Sequence, residues 1–170
     1  MGEVGLLGPD SQTELLNGQV IDFLPPTPLH AAITRRLVDK GFELPRKSCL
    51  VSVGNPVHID DYNELQPDVM LLKFIPNYYT VKQPGPHDVF LLIEVADASF
   101  RYDSEEKLPI YARAGIPEYW IVNLQESTVE VYREPHFTGY EKKTVLQAGG
   151  KAVPSAFPDL EVDVAELLRR

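Results

Sequence analysis

Two carboxylates border apolar segments that have the character of buried strands. Asp68 precedes the apolar run 69–72, and Glu94 ends the apolar run 89–93. A carboxylate is costly to remove from water unless a cation or hydrogen-bond donors face it. Magnesium prefers hard oxygen ligands and needs only one or two carboxylates. The two residues are therefore candidate ligands of a divalent metal, with ordinary pairing to Arg or Lys as the alternative.

Glu14 and Lys107 are the next candidates. The dipeptide Asn17-Gly18 favours a type I′ hairpin turn, which places Glu14 on the first strand of the hairpin. Lys107 lies near the start of a helical pattern. The alternatives are an exposed strand residue for Glu14 and, for Lys107, a solvated lysine in contact with Asp103 one turn earlier.

Capping residues in the sequence predict three helices, one of which carries Lys107. Thr27 is suited to cap a helix with Pro28 at its first position, and the apolar spacing predicts that this helix ends near Gly41. A second helix is predicted from Asp103, which has Glu106 at capping-box spacing, although Pro109 interrupts the pattern. A short terminal helix is predicted from residue 163.

Strands are predicted at 48–53, 57–60, 66–73, 89–96, 118–124, 128–134 and 140–146, with a loop at 74–88. Helices before and between buried strands indicate an α/β fold with a mixed central β-sheet flanked by α-helices. The N-terminal β-hairpin precedes this sheet. We expect a single domain over residues 1–170, with its core at about 12–168.

Composition limits the function classes. The formal charge of −9 argues against a general nucleic-acid coat protein, whose affinity comes from Lys and Arg, but does not exclude a nuclease. The single Cys49 cannot form an internal disulfide, and no Cys/His cluster has zinc-ligand spacing. No signal peptide and no run of about 18 apolar residues is present, so we expect a cytoplasmic protein without membrane contact.

One segment is basic despite the acidic total. Residues 35–47 contain five Lys or Arg and two acidic residues, a net charge of 5 − 2 = +3. Arg35, Arg36 and Lys40 lie on the first predicted helix and are candidates for binding nucleic-acid phosphates. His30, near the start of that helix, could contact a phosphate or the candidate carboxylates, or could be an ordinary helix-terminal histidine.

Several short motifs occur in the order seen in one known family. They are the hairpin 14–18, Pro67-Asp68-Val69, the segment 93–95 and the long helix-to-strand segment 111–120. With these motifs the chain resembles the Uma-two family of restriction endonucleases from about residue 12 to its C-terminus. That family belongs to the restriction-endonuclease-like, PD-(D/E)XK superfamily.

The resemblance implies magnesium-dependent hydrolysis of phosphodiester bonds, most often in DNA, with Mn²⁺ as a possible substitute. It implies that Asp68, Glu94 and Glu14 are catalytic metal ligands. The superfamily lysine would be residue 96, which is Ala96 here. The resemblance suggests that Lys107 has taken over its role and stabilises charge at the phosphate or orients the attacking water.

Two functions remain open at this stage. The first is a metal-dependent endonuclease that works as a homodimer, since one site per chain must cut two strands. The second is a weak or inactive nuclease-fold protein that acts as a binding module. Ala96, Pro109 and the acidic charge favour the second hypothesis.

Overall fold

The computed structural model describes residues 12–170. Its helices are α1 (Pro28–Phe42), α2 (Leu108–Arg113) and α3 (Val164–Leu167), with a 3-10 turn at Pro86–Asp88 and a π-helical turn at Tyr102–Lys107. Its strands are β1 (Thr13–Leu16), β2 (Gln19–Asp22), β3 (Leu50–Val53), β4 (Val57–Asp60), β5 (Asn63–Leu65), β6 (Val69–Leu72), β7 (Val89–Ala96), β8 (Glu118–Asn123), β9 (Thr128–His136), β10 (Gly139–Leu146), β11 (Lys151–Ala152) and β12 (Val162–Asp163).

The central sheet has the strand order β10-β9-β8-β7-β6-β3. β7 and β8 are parallel, and the other neighbours are antiparallel. The helical segment between residues 100 and 113 makes the crossover that a parallel pair requires. This arrangement confirms the predicted α/β fold with a mixed central sheet.

The two faces of the central sheet are covered differently. One face packs against α1 and α3 through a core that includes Ile33, Leu37 and Trp120. The other face packs against α2 and a second sheet of order β2-β1-β5-β4. Because successive side chains of a strand point to opposite faces, β7 contributes to both cores.

Helix α1 begins and ends close to its predicted bounds. The Thr27 hydroxyl accepts a hydrogen bond from the His30 amide at 3.3 Å, as expected of an N-cap. Near its end, Gly41 lies so close to β3 that a Cβ atom there would stand 2.7 Å from a methyl group of Val51. Glycine thus allows α1 to approach the sheet closely.

The hairpin β1–β2 turns at Asn17-Gly18, both with positive φ, as predicted. β1 also pairs with β5, which lies between the predicted strands 57–60 and 66–73 and was not predicted. This pairing places Glu14 above the end of the central sheet.

The helix after β7 differs from its prediction. It begins at Phe100, so Asp103 lies inside it, and the assignment of Asp103 as the N-cap was wrong. The amide of Leu108 bonds to the carbonyl of Asp103, five residues back, which marks the π-helical turn. Pro109 follows directly as the second residue of α2. No helix within residues 12–170 has the length and apolar character needed to cross a bilayer.

Candidate active site

Asp68 and Glu94 lie side by side at one end of the central sheet. The antiparallel register pairs Val69 with Ile93, and its continuation places Asp68 opposite Glu94 with both side chains on the same face. Oδ2 of Asp68 accepts a hydrogen bond from the Val95 amide at 2.7 Å. The two carboxylates are therefore held by the backbone of neighbouring strands.

The Lys107 ammonium reaches the same place from the π-helical turn. Its Nζ lies 2.8 Å from Oε1 of Glu14, 2.9 Å from Oε1 of Glu94 and 3.7 Å from Oδ1 of Asp103. The four side chains are at most 5% exposed. They form one buried cluster, which we call the acidic cluster: Glu14, Glu94, Asp103 and Lys107.

Further donors orient the carboxylates. Oε1 of Glu14 also accepts from the Gln66 amide at 2.7 Å, and Oε2 accepts from the Tyr102 hydroxyl at 3.1 Å. The Tyr111 hydroxyl donates to Oε1 of Glu94 at 3.1 Å. The remaining oxygen of Glu94, Oε2, accepts no hydrogen bond from residues 12–170, and neither does Oδ1 of Asp68.

The acidic cluster holds three carboxylates and one ammonium. Burial raises the pKa of Glu94 well above its usual value, and the Lys107 charge offsets this only in part. Burial likewise raises the pKa of Asp103 to about 6, against the opposing effects of Lys107 and a hydrogen bond from Ser99. Negative charge is thus in excess here.

Lys107 responds in the opposite way. Burial alone would lower the pKa of the ammonium, but the charges of Glu94, Glu14 and Asp103 outweigh burial and raise it. Lys107 is therefore a permanent cation at neutral pH. A permanent point charge is suited to stabilising an anion rather than to proton transfer.

His30 joins the site from the first turn of α1. Its Nε2 lies 3.1 Å from Oδ2 of Asp68. Burial opposes protonation of this imidazole, but the hydrogen bond and charge of Asp68 more than compensate and raise the pKa of His30. A histidine that is more easily protonated than usual therefore lies next to a candidate metal ligand.

The oxygen atoms fit a hard divalent cation. Within residues 12–170, no three His, Cys, Asp or Glu side chains converge as a ready-made metal cage. Magnesium keeps several water ligands and uses one or two carboxylates, so the free oxygens of Asp68 and Glu94 are suitable donors. Both oxygens of Glu14 already accept hydrogen bonds from the protein.

The predicted residues thus separate into two groups. The structure brings Glu14, Asp68, Glu94, Lys107 and His30 together. Arg36 instead donates to the carbonyl of Leu167 at 2.8 Å, Lys40 pairs with Glu43 at 3.0 Å, and Arg35 is exposed.

Sequence reasoning missed Asp103, Tyr102 and Tyr111. Asp103, Lys107 and Tyr111 are spaced by four residues and so lie on one face of the helix. Three polar groups on the buried face of a helix were the signal for a polar site. The interpretation of Asp103 as a cap concealed this signal.

Similarity to known proteins extends over nearly the whole chain. A sequence model of the Uma2 family, described as "Putative restriction endonuclease", matches residues 4–165. A crystal structure titled as a "putative nuclease belonging to DUF820" from Anabaena variabilis ATCC 29413 superimposes with a TM-score of 0.72 at 17% identity. It covers 92% of this chain and 89% of that one, which shows a shared fold. No curated protein matches the sequence significantly.

Proposed function

This chain belongs to the Uma2 family, and from that premise we propose that it is a divalent-metal-dependent endonuclease that hydrolyses phosphodiester bonds in DNA. Asp68 and Glu94 would hold the metal through the oxygens that accept no hydrogen bond from the protein. Mg²⁺ is the proposed ion, and Mn²⁺ is a possible substitute because both accept oxygen ligands.

One observation supports this proposal above the others. Lys107 is remote from the superfamily lysine position at Ala96, yet its Nζ lies 2.9 Å from Glu94. Burying one ammonium among three carboxylates costs free energy that an apolar core would not. Such an arrangement is typical of a site retained for chemistry.

Each side chain has a separate task in the proposed reaction. The metal, when bound, supplies Lewis acidity and lowers the pKa of a water molecule. Lys107 stabilises negative charge as it develops on the phosphate. Glu14 holds the Lys107 ammonium through Oε1, and because both its oxygens already accept hydrogen bonds it would support a metal only indirectly.

His30 positions Asp68 in this proposal. Its contact with Oδ2 leaves Oδ1 for the metal. Outer hydrogen-bond partners of this kind fix the orientation of ligands and strengthen metal binding. Arg35, Arg36 and Lys40 remain candidates for more distant phosphate contacts, although Arg36 and Lys40 must first leave their present partners.

Two strands can be cut by a homodimer that presents two such sites with two-fold symmetry. We propose this assembly, with residues 1–170 acting as one domain in each protomer. A second candidate function is a nuclease-fold binding module. The observation that favours it is that all three acceptors of Lys107 are protein carboxylates, which draws the ammonium away from a substrate.

The decisive experiment compares plasmid cleavage by the parent and by Asp68→Asn with Mg²⁺ and with Mn²⁺. The parent should nick or linearise the plasmid, and the variant should be nearly inactive because the metal loses an anionic ligand. Metal titration should raise the unfolding temperature of the parent by mass action, and less so that of the variant. Equal cleavage by both proteins would show that the activity comes from elsewhere.

A further inference from the structure

A small exposed surface lies at the opposite end of β6 from Asp68. It consists of Arg46, Lys47, Lys73, Phe74 and Tyr78, and we call it the aromatic–basic patch. The Lys47 Nζ lies 5.8 Å from the centre of the Phe74 ring. The Phe74 and Tyr78 rings meet edge to face with centroids 5.6 Å apart. The patch is thus one contiguous group drawn from two loops.

The cations of the patch are available to a ligand. Among residues 12–170, neither Arg46, Lys47 nor Lys73 forms an ion pair, and all three are exposed. Elsewhere on the surface, Lys142 pairs with Glu134 and Lys151 with Glu161. Three cations without carboxylate partners form a local positive surface on a chain of formal charge −9.

The backbone of these two loops adopts an unfavourable conformation next to the exposed aromatic ring. Of the six non-glycine residues with positive φ in the described part of the chain, Lys47, Tyr78 and Tyr79 belong to these two loops. The left-handed conformation is uncommon for residues as bulky as tyrosine. Tyr79 turns inward and donates its hydroxyl to the carbonyl of Lys73 at 2.9 Å, whereas Tyr78 is 60% exposed. The left-handed backbone at these two residues thus directs one tyrosine ring inward and leaves the other in solvent.

The edge strand β3 connects the patch to Asp68. Beyond its last residue, the Gly54 amide donates to the carbonyl of Asp68 at 3.0 Å, and its first residue pairs with Leu72, next to Lys73. The distance from Asp68 to Phe74 along β6 is about 20 Å at roughly 3.3 Å per residue. A strand lying along β3 could therefore reach both places.

We propose that the aromatic–basic patch binds a single-stranded segment of nucleic acid, with a base stacked on Tyr78 and phosphates on Lys47 and Lys73. Aromatic rings beside cations are the recurring means of holding unpaired bases. Paired bases in a duplex do not offer their faces to such a ring, so the patch favours unpaired strands. The choice of nucleic acid as the partner rests on the proposed function.

Fluorescence anisotropy with a labelled single strand of about 12 nucleotides, without metal, tests the proposal directly. Tyr78→Ala should raise the Kd about fivefold or more through loss of one stacked base. Tyr78→Phe, which keeps the ring, should stay within about twofold of the parent. Tyr78→Asn suits the left-handed backbone and lacks the ring, so it should show the same loss without rearranging the loop.

Tyr62→Ala is the matched control. Tyr62 is 67% exposed on the turn after β4, beside Asp60 and Asp61, and should not contribute. The double variant Lys47→Gln, Lys73→Gln should reduce the slope of log affinity against log salt by about 1.4, which is 0.7 for each lost phosphate. Duplex binding should not change with Tyr78→Ala. The same series with RNA identifies the preferred sugar, and the loss of stacking is expected with either.

Three results would overturn the inference: no binding of single strands by the parent, equal loss in Tyr78→Ala and Tyr62→Ala, or equal loss for single strands and duplex. Because binding is measured without metal, its outcome is separate from cleavage. If the parent binds single strands through Tyr78 but cleaves no better than Asp68→Asn, the catalytic proposal fails and the binding surface stands.

Discussion

Two buried carboxylates at opposite ends of the central sheet, Glu118 and Glu94, differ in how their charge is balanced. Glu118 begins β8 and is 1% exposed. It accepts from Trp120 Nε1 at 2.7 Å, Arg133 Nη2 at 2.9 Å and the Ser155 amide at 2.7 Å. This single anion thus has three donors, one of which is the cation Arg133.

The charges around Glu94 are not balanced in this way. In the acidic cluster three carboxylates share one ammonium, and the cluster carries 3 − 1 = 2 excess negative charges when all its groups are ionised. Excess buried charge destabilises a fold unless a further cation or a proton neutralises it. Burial alone does not distinguish Glu94 from Glu118. The balance of charge among the buried groups does, and it is the imbalance around Glu94 that supports a metal site there.

The largest expected effect is a contrast between Glu94→Gln, which should lose cleavage, and Glu118→Gln, which should lose stability. Glu94→Gln should lower cleavage by about 1000-fold through loss of a metal ligand, with little loss of stability. Glu118→Gln should keep cleavage within about twofold yet lose about 2 kcal/mol of stability, because Arg133 loses its anionic partner. Plasmid-nicking rates and urea unfolding measure the two quantities, and similar losses of cleavage in both variants would end the distinction.

The cations give the second contrast. Lys107→Met should lower cleavage by about 100-fold and reduce the free energy of unfolding by about 3 kcal/mol at neutral pH, since Glu14 and Glu94 lose their buried counter-charge. Arg133→Met should cost less stability, because its side chain is 37% exposed, and should not affect cleavage. Adding Mg²⁺ should restore part of the stability of Lys107→Met. Cleavage by Lys107→Met within about twofold of the parent would remove Lys107 from the mechanism.

The third test uses pH. The pKa of Asp103 rises from 3.8 to about 6 on folding, so its contribution to stability is complete below pH 3.8 and is lost as pH rises through 6. Asn at position 103 does not ionise, so the Asp103→Asn variant does not lose stability in this way as pH rises. The stability of the variant relative to the parent should therefore increase by about 2 kcal/mol between pH 4 and pH 7. Urea unfolding of both proteins at the two pH values checks it, and a constant difference would contradict the charge imbalance.

The smallest effect concerns a hydroxyl. Tyr102→Phe removes the donor to Oε2 of Glu14 and should cost about 1 kcal/mol of stability and several-fold in cleavage. Tyr140→Phe is the matched control, because its hydroxyl donates to the carbonyl of Ile116, away from the acidic cluster. Equal changes of cleavage in the two variants would show that Tyr102 does not act through Glu14.

Much of the fold could be predicted from local patterns. The strands β4 and β7, the Asn17-Gly18 turn and the Thr27 cap depend on alternation and on turn and cap chemistry, which a sequence displays directly. β5 was not predicted because three residues carry too little periodicity. β11 has only two residues and was missed for the same reason.

The site was predictable in part. Asp68 and Glu94 could be placed at neighbouring strand ends because each borders an apolar run. The convergence of Lys107 and Glu14 depends on long-range packing, across 93 residues of sequence, which no local pattern encodes. Asp103 was assigned to a cap because its spacing to Glu106 satisfies a capping box, whereas the helix begins earlier, at Phe100.

The π-helical turn makes the site depend on chain length as well as on residue type. A π-turn contains one residue more than the α-helical turn that it replaces. Deleting the exposed Glu105 or Glu106 would allow Tyr102–Lys107 to become α-helical, and Asp103 and Lys107 would then be three residues apart and still on one face of the helix. Inserting one residue there would place them five residues apart, about 140° around the axis of an α-helix, so that the ammonium and its carboxylates would no longer face one another. This turn should therefore tolerate the loss of a residue better than the gain of one, even though every side chain of the acidic cluster is present in both cases.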